Sequence, residues 1–292
     1  MRIAIASGKG GTGKTTLAVG LALTADRPLQ LLDCDVEEPN CHLFLQPAFH
    51  DSRGVGIPIP KVDVSRCTVC GRCGEICQYN AIVALRTRPL VFPELCHGCG
   101  GCLRVCPEEA ITEAVREIGV VERAQCGSID FAHGRLRVGE ALSPPLIRAV
   151  LEIAEDGEGI TLIDAPPGTA CPVVAALRRA DCAVLVTEPT PFGQHDLELA
   201  VEVVRKLDLP FGVVINRAGS GDDRVQRYCA AESIPILQEI PDDRRVAECY
   251  SRGEVPALAL PEQTLRYREL FGRIVELAQR SGSAHLGEGR RA

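Results

Sequence analysis

At 292 residues, with 46% hydrophobic and 24% charged side chains, the chain is long enough to bury one large α/β core and a smaller companion. A formal net charge of −7 and a pI near 5.5 argue against a general nucleic-acid binder, because affinity for a phosphate backbone comes largely from clustered Lys and Arg. No stretch approaches the roughly 18 to 20 uninterrupted apolar residues that span a bilayer. Met1 leads straight into RIAIAS rather than a signal peptide, so a cytoplasmic chain without an integral membrane segment is expected.

The chain opens with a strand from Arg2 to Ala6, a Gly-rich turn, a helix from about Lys14 to Ala25, and an apolar strand from Leu29 to Leu32 that ends in acids. This βαβ start breaks off at GVGIPIPKVD, residues Gly54 to Asp63, which reads as a linker. A cysteine-rich segment follows to about Glu117, and Ser128 to Leu142 has the pattern of a hairpin. Strand patterns then recur near Ile160 to Ile163, Ala183 to Thr187, Gly212 to Ile215 and Ile236 to Ile240. Helical patterns fall between them near Ala175, Leu197 to Leu207 and Arg224 to Glu232, an alternation that predicts a mostly parallel sheet with helices on both faces. Leu265 to Ala278 has apolar residues at helical spacing, and residues 281–292 are expected to be a disordered tail.

Gly8 to Thr15 fits GxxxxGK[ST] directly between a strand and a helix, where backbone N–H groups and the helix N-terminus can surround phosphate oxygens. Gly10, Gly11, Thr12, Gly13, Lys14, Thr15 and Thr16 are therefore the expected phosphate cradle. Lys14 would hold the β and γ phosphates, and the Thr15 hydroxyl would serve Mg²⁺, a hard cation that takes oxygen ligands. The same glycines also spell GxGxxG, with Asp33 or Asp35 about 20 residues further on, as in a dinucleotide site. Lys14 and Thr15 decide against that reading. So does ITLIDAPPG, where Asp164 ends an apolar strand as a Mg²⁺-side acid should and Gly168 is placed to bond the γ phosphate.

Eight of the fifteen cysteines crowd between Cys67 and Cys106. CxxCxxCxxxC occurs twice, at Cys67, Cys70, Cys73, Cys77 and at Cys96, Cys99, Cys102, Cys106, with a constant offset of 29 residues. In this pattern the fourth cysteine of each run serves the other cluster. Cys67, Cys70, Cys73 and Cys106 are accordingly assigned to one [4Fe-4S] cluster, and Cys96, Cys99, Cys102 and Cys77 to the other. Zinc is the alternative, but a zinc ribbon separates two CxxC pairs by a longer stretch and needs no third cysteine three residues on. Gln78 stands where Pro107 follows Cys106, a difference that leaves ligation intact. The remaining cysteines are scattered and the six histidines form no ligand-spaced cluster, so buried thiols and ordinary histidines are expected there.

The loop KGGTGKTT resembles the deviant Walker A loop of the MinD/Mrp-like ATPases. LLDCDVEEPNCHLFL, IDAPPGTACPV and VTEPTPFGQHDLELAVE resemble the branch of that superfamily with an inserted ferredoxin domain. The implied fold is α/β, a mostly parallel P-loop NTPase sheet interrupted by a small bacterial-ferredoxin-like α+β insert. The expected domains are residues 1–58 and 119–280 for the ATPase and 59–118 for the insert.

The resemblance also implies roles. Lys9 reaches across a dimer to the partner's nucleotide, Asp35 stands near the attacking water with Asp33 close by, and Asn216, Pro241 and Asp242 contact adenine. It implies ATP or ADP, Mg²⁺ and two [4Fe-4S] clusters as cofactors, and an ATP-dependent dimer with itself or with a paralogue. A redox or cofactor-assembly protein is implied as partner, related to the nitrogenase iron-molybdenum cofactor assembly factors. The expected function is an ATP-hydrolysing iron-sulfur protein whose nucleotide state gates electron transfer or metallocluster assembly. The alternatives are an Mrp-type cluster carrier, whose C-terminal CxxC is absent here, and a MinD/ParA-type spatial organiser.

Overall fold

The computed structural model describes residues 1–154 and 159–285. The first half of the chain runs β1 (Arg2–Ala6), α1 (Lys14–Thr24), β2 (Leu29–Asp33), α2 (Cys41–Leu45), β3 (Phe49–Val62), α3 (Arg72–Ile76), β4 (Ile82–Ala84), β5 (Pro89–Val91), α4 (Gly101–Arg104), β6 (Ile111–Cys126) and β7 (Ile129–Leu136). The second half continues with α5 (Pro144–Leu151), β8 (Thr161–Asp164), α6 (Cys171–Leu177), β9 (Cys182–Thr187), α7 (Pro191–Lys206), β10 (Phe211–Ala218), α8 (Arg224–Ala231), β11 (Ile236–Pro241), α9 (Arg244–Ser251), α10 (Pro256–Ala259) and α11 (Pro261–His285).

Nine strands form one sheet in the order β11-β10-β9-β1-β8-β2-β7-β6-β3. β1 runs parallel to β8 and β9, β2 to β7 and β8, and β10 to β9 and β11. The mostly parallel α/β sheet expected from the alternating patterns is therefore present. Ile3, Ala4, Ile5, Ala183, Val184 and Leu185 are all fully buried, as strands covered on both faces require. Leu17, Leu21, Tyr267, Leu270, Phe271 and Ile274, from α1 and α11, join Ile3, Ile5 and Val184 in one apolar core. All these parallel strands end on one edge of the sheet, and β1 stands between β8 and β9 there. Ligands of open α/β sheets bind outside such carboxyl ends.

The chain divides into two compact units, one of residues 1–52, 121–135 and 147–292, the other of residues 53–120 and 136–146. In the second, the short antiparallel pair β4-β5 accompanies α3 and α4, and Cys73, Ile82, Cys102 and Ile111 form the core.

Three local expectations need correction. The Gly/Pro stretch at Gly54 to Asp63 is not a linker, since it is the body of β3. Strand β3 ends the sheet order, and Pro58 and Pro60, two residues apart, lack N–H groups on the same side of the strand. An edge strand tolerates that loss. Ser128 to Leu142 is not a self-contained hairpin either: it supplies one strand, β7, turned back at Gly127 and Ser128 onto the long preceding β6. Finally, α11 runs to His285, through the first five residues of the expected tail, while residues 286–292 lie outside the described residues. Among the described residues no helix is long and apolar enough to cross a membrane.

Candidate functional site

The loop from Gly8 to Gly13 follows β1 and feeds α1 through Gly13, whose φ of +94° lies in the left-handed region. A Cβ there would meet Nδ2 of Asn216 at 2.4 Å, so both conformation and space demand glycine. Asn216, on β10, donates from that nitrogen to the carbonyl of Thr12 at 2.8 Å. The residue expected at the base therefore braces the loop itself. The free N–H groups at the start of α1 face the same side and leave an anion-binding terminus.

Lys14 and Thr15 enter the cleft from the first turn of α1. The Thr15 hydroxyl donates to Oδ2 of Asp164 at 2.6 Å, joining the loop to the end of β8. Strand register sets Asp33 directly beside Asp164. Asp33 is fully buried, and its carboxylate accepts backbone N–H groups from Asp35 at 3.1 Å and from Asn40 and Cys41 at 3.0 Å each. It thereby folds the loop that carries Asp35 back over the sheet edge. The Cys41 thiol reaches Oδ2 of Asp164 at 3.6 Å, and the donor atoms of Asp33, Cys41 and Asp164 lie within 4.8 Å of one another.

Two carboxylates in so dry a place repel protonation loss. Burial, then the neighbouring Asp164, push Asp33 up to about 8. Burial also raises Asp164, against the Thr15 hydrogen bond and the Lys14 charge. Asp35 is lifted to about 6 by burial, with Lys14 pulling the other way. These upward shifts favour protons on the carboxyls, protons that a bound cation would displace.

The cleft between the loop and the segment from Pro241 to Asp243 has a volume of about 410 Å³. Gly10, Gly11, Gly13, Lys14, Thr15, Thr16, Asp35, Asn216, Pro241 and Asp242 line it. Thr12 does not; its Oγ1 is buried without a partner, as is Oδ1 of Asp164. Gly168 donates its N–H to the Ser7 carbonyl at 3.0 Å, so that amide is already engaged. Lys9 lies beside Glu188, 3.5 Å away, and Arg217 holds the same carboxylate at 2.6 Å.

The sequence reading missed Tyr250, Tyr267 and Gln263 at this cleft, and Glu188 beside it. Tyr250 donates its hydroxyl to Thr16 and meets the Phe44 ring at 5.5 Å. Gln263 is 2% exposed with neither amide atom partnered. Orphaned polar atoms in a phosphate-sized cradle suit a nucleotide with its Mg²⁺. Nothing near Gln263 in the sequence signals its place, and Glu188, though it lies within VTEPTPFG, carries no local mark of its partners Lys9 and Arg217.

In the other unit the two cysteine runs fold as a conformational repeat. Residues 29 apart share left-handed backbone: Val69 with Gly98, Gly71 with Gly100, and Asn80 with Glu109. The N–H groups of Ala81 and Ala110 donate to the sulfurs of Cys77 and Cys106, both at 3.3 Å. One cavity is lined by Cys67, Cys70, Cys73 and Cys106, and a second, larger one by Cys77, Cys96, Cys99 and Cys102. Four soft sulfur donors around each apolar cavity fit a thiolate-held cluster. Burial alone would raise Cys77, but backbone N–H groups of Tyr79, Ile82, Ala81 and Asn80 outweigh it and draw the thiol down. His97 and Tyr79 stack at 3.6 Å beside the larger cavity.

A strand-loop-helix phosphate cradle at the centre of a mostly parallel sheet, with an acid at the adjoining strand end, defines a P-loop nucleotide-binding ATPase fold of the MinD/ParA kind. The chain belongs to the CbiA family, the CobQ/CobB/MinD/ParA nucleotide binding domain, whose model matches residues 3–257. An uncharacterized protein of Methanocaldococcus jannaschii is 31% identical over 289 residues, covering 95% of this chain and 96% of its own. A protein of Pyrococcus horikoshii named as an iron-sulfur cluster carrier is 22% identical over 278 residues, covering 86% of this chain and 77% of its own. The fold is shared with the septum site-determining protein MinD of Pyrococcus horikoshii, solved with Mg-ADP, at a TM-score of 0.58 and 20% identity, with 96% of this chain and 98% of that one covered.

Proposed function

We propose that this member of the family is an ATP-hydrolysing iron-sulfur protein in which an inserted ferredoxin-like module carries two [4Fe-4S] clusters. Nucleotide state would gate electron transfer or metallocluster assembly with a partner protein. The observation that carries this reading is the crossed lining of the two cavities, each with three cysteines from one repeat and the fourth from the other. Such clusters exchange single electrons when bound. The cysteines and their backbone donors would hold them, with Cys73, Cys96 and Cys102 buried, Cys67, Cys77 and Cys106 partly buried, and Cys70 and Cys99 exposed.

At the nucleotide, Lys14 and the amides of α1 would bind the phosphates, and Thr15 with Asp164 would place Mg²⁺. Asp35 would orient the attacking water, and Pro241 and Asp242 would flank the adenine. The Mg-ADP bound by the Pyrococcus horikoshii MinD of like fold supports nucleotide and magnesium here. The ATP-dependent partner would be a second copy or a paralogue, as the family resemblance implies. Protein purified without oxygen should contain about eight iron and eight sulfide per chain. Zinc without sulfide overturns the reading.

The carrier reading draws support from the distant relatives named as iron-sulfur cluster carriers, 21% to 24% identical. It predicts release of cluster to an apo-protein. Eight fixed thiolates oppose such release, and outside the insert Cys229 and Cys249 are buried singly.

A further inference from the structure

The two halves of the cysteine repeat share backbone, yet their electrostatic surroundings differ. Arg116, on β6, donates from one terminal nitrogen to the carbonyl of Cys96 at 3.5 Å, and from the other to Glu140. Its side chain is 15% exposed, that of Glu140 only 6%, so the pair sits largely out of water. The residue 29 positions earlier is Thr87, uncharged and exposed, and the arginines on either side of it, Arg86 and Arg88, are exposed too, so that solvent screens the cations of that half. Arg66, next to Cys67, has a side chain 54% exposed and is tied to the Glu108 carbonyl, where solvent screens it. The N–H of Gly98 adds a donor to the sulfur of Cys96 at 3.4 Å. Val69 holds the matching place in the first repeat with a φ of +55°, and no N–H bond from it to Cys67 is present among the described residues.

We infer that Arg116 sets the two cluster sites apart, making the site of Cys77, Cys96, Cys99 and Cys102 the one that accepts an electron first. The inference rests on the two-cluster reading above. Reduction by one electron from a low-potential one-electron donor such as dithionite adds one negative charge within the thiolate cage. A guanidinium held beside a ligand's own backbone in a poorly screened place stabilises that added charge, and donors to the sulfurs act in the same direction. Glu140 opposes the guanidinium without cancelling it, because Arg116 stands between the carboxylate and Cys96 in the chain of hydrogen bonds. Arg116 is thus a positioning residue for charge, acting on the site through Cys96.

The test is a dithionite titration of the anaerobic, iron-loaded full chain, followed by electron paramagnetic resonance. Two reduction waves are expected, and Cys99→Ser should remove the more positive one. Arg116→Gln should make reduction of that site at least tenfold less favourable, about 59 mV for one electron, and leave the other wave in place. Arg116→Lys should restore most of the difference. Glu140→Gln should move the same wave the opposite way, a sign that mere loosening of the fold does not produce and that stands even if Arg116→Gln fails to load iron. Coincident waves, loss of the more negative wave in Cys99→Ser, or shifts of one sign in both variants overturn the inference. Wild-type protein without iron and sulfide overturns instead the two-cluster reading beneath it.

Discussion

The Thr15 hydroxyl and Oδ2 of Asp164, 149 residues apart in the chain, meet at 2.6 Å and tie the phosphate loop to the end of β8. A magnesium ion serving both would take oxygen from each, so the pair divides the work of the loop between phosphate and metal.

Lys14→Ala should therefore abolish nucleotide binding, at least a hundredfold in Kd, whether Mg²⁺ is present or not. Thr15→Ala should retain metal-free binding and lose most of the increment that Mg²⁺ confers. Titration with a fluorescent ATP analogue, with and without Mg²⁺, separates the two. Equal losses in both variants would remove the division of roles.

The pair Asp33 and Asp164 gives the nucleotide-free, chelator-treated protein a distinctive pH response. Asp33 titrates near 8 in the fold against 3.8 when unperturbed, so between those values the native state binds more protons than the unfolded chain. Stability from this site must then fall as pH rises through that window and level off above it. Asp35, lifted to about 6, contributes with the same sign at the lower end of the window. Relative to Asp33→Asn, the wild type should lose at least about 1 kcal/mol between pH 5 and pH 8, roughly 2 to 4 °C in Tm. A pH-independent difference in melting temperature would contradict the shift.

Lys9 sits in an ion pair with Glu188 of its own chain, 3.5 Å away, so any role across a dimer requires that it leave this partner. Lys9→Ala should keep nucleotide binding within about threefold of wild type while reducing ATP-dependent dimerisation and turnover at least tenfold. Glu188→Gln should ease the release and shift the dimer equilibrium toward association. Sedimentation with a slowly hydrolysed ATP analogue reads both. Unchanged dimerisation in Lys9→Ala would leave the lysine as a local ion-pair residue.

Cys106 lines the same cavity as Cys67, Cys70 and Cys73, although it ends the other repeat. Cys106→Ser should lose about half the iron and sulfide and remove the spectral signature of that site, while the site of Cys96, Cys99 and Cys102 survives. Loss of the second site alone would refute the crossed assignment.

The contiguous motifs were legible because their chemistry is written in local geometry. The phosphate loop needs only glycines, Lys14 and Thr15 between a strand and a helix, and the cysteine runs need only short spacings that bring three sulfurs around one point. The parallel sheet was legible too, since buried strands separated by helical patterns have few other ways to fold. The prolines of β3 hid a strand, because the penalty they carry vanishes on a sheet edge and edges are not marked in the chain.

What the tertiary structure alone decided are the contacts between residues far apart. Strand register put Asp33 beside Asp164, and the fold of the loop after β2 brought Cys41 to the same carboxylate. Helix and strand packing placed Glu188 against Lys9, Gln263 at the cleft, and the His133 ring 5.3 Å from that of His42. The same holds for Arg116 at the Cys96 carbonyl, 20 residues away within the second unit. A carboxylate, an amide or a guanidinium looks alike in sequence whether it faces solvent or a buried partner. Its burial and its neighbour, which set its charge and its use, exist only once distant segments have packed together.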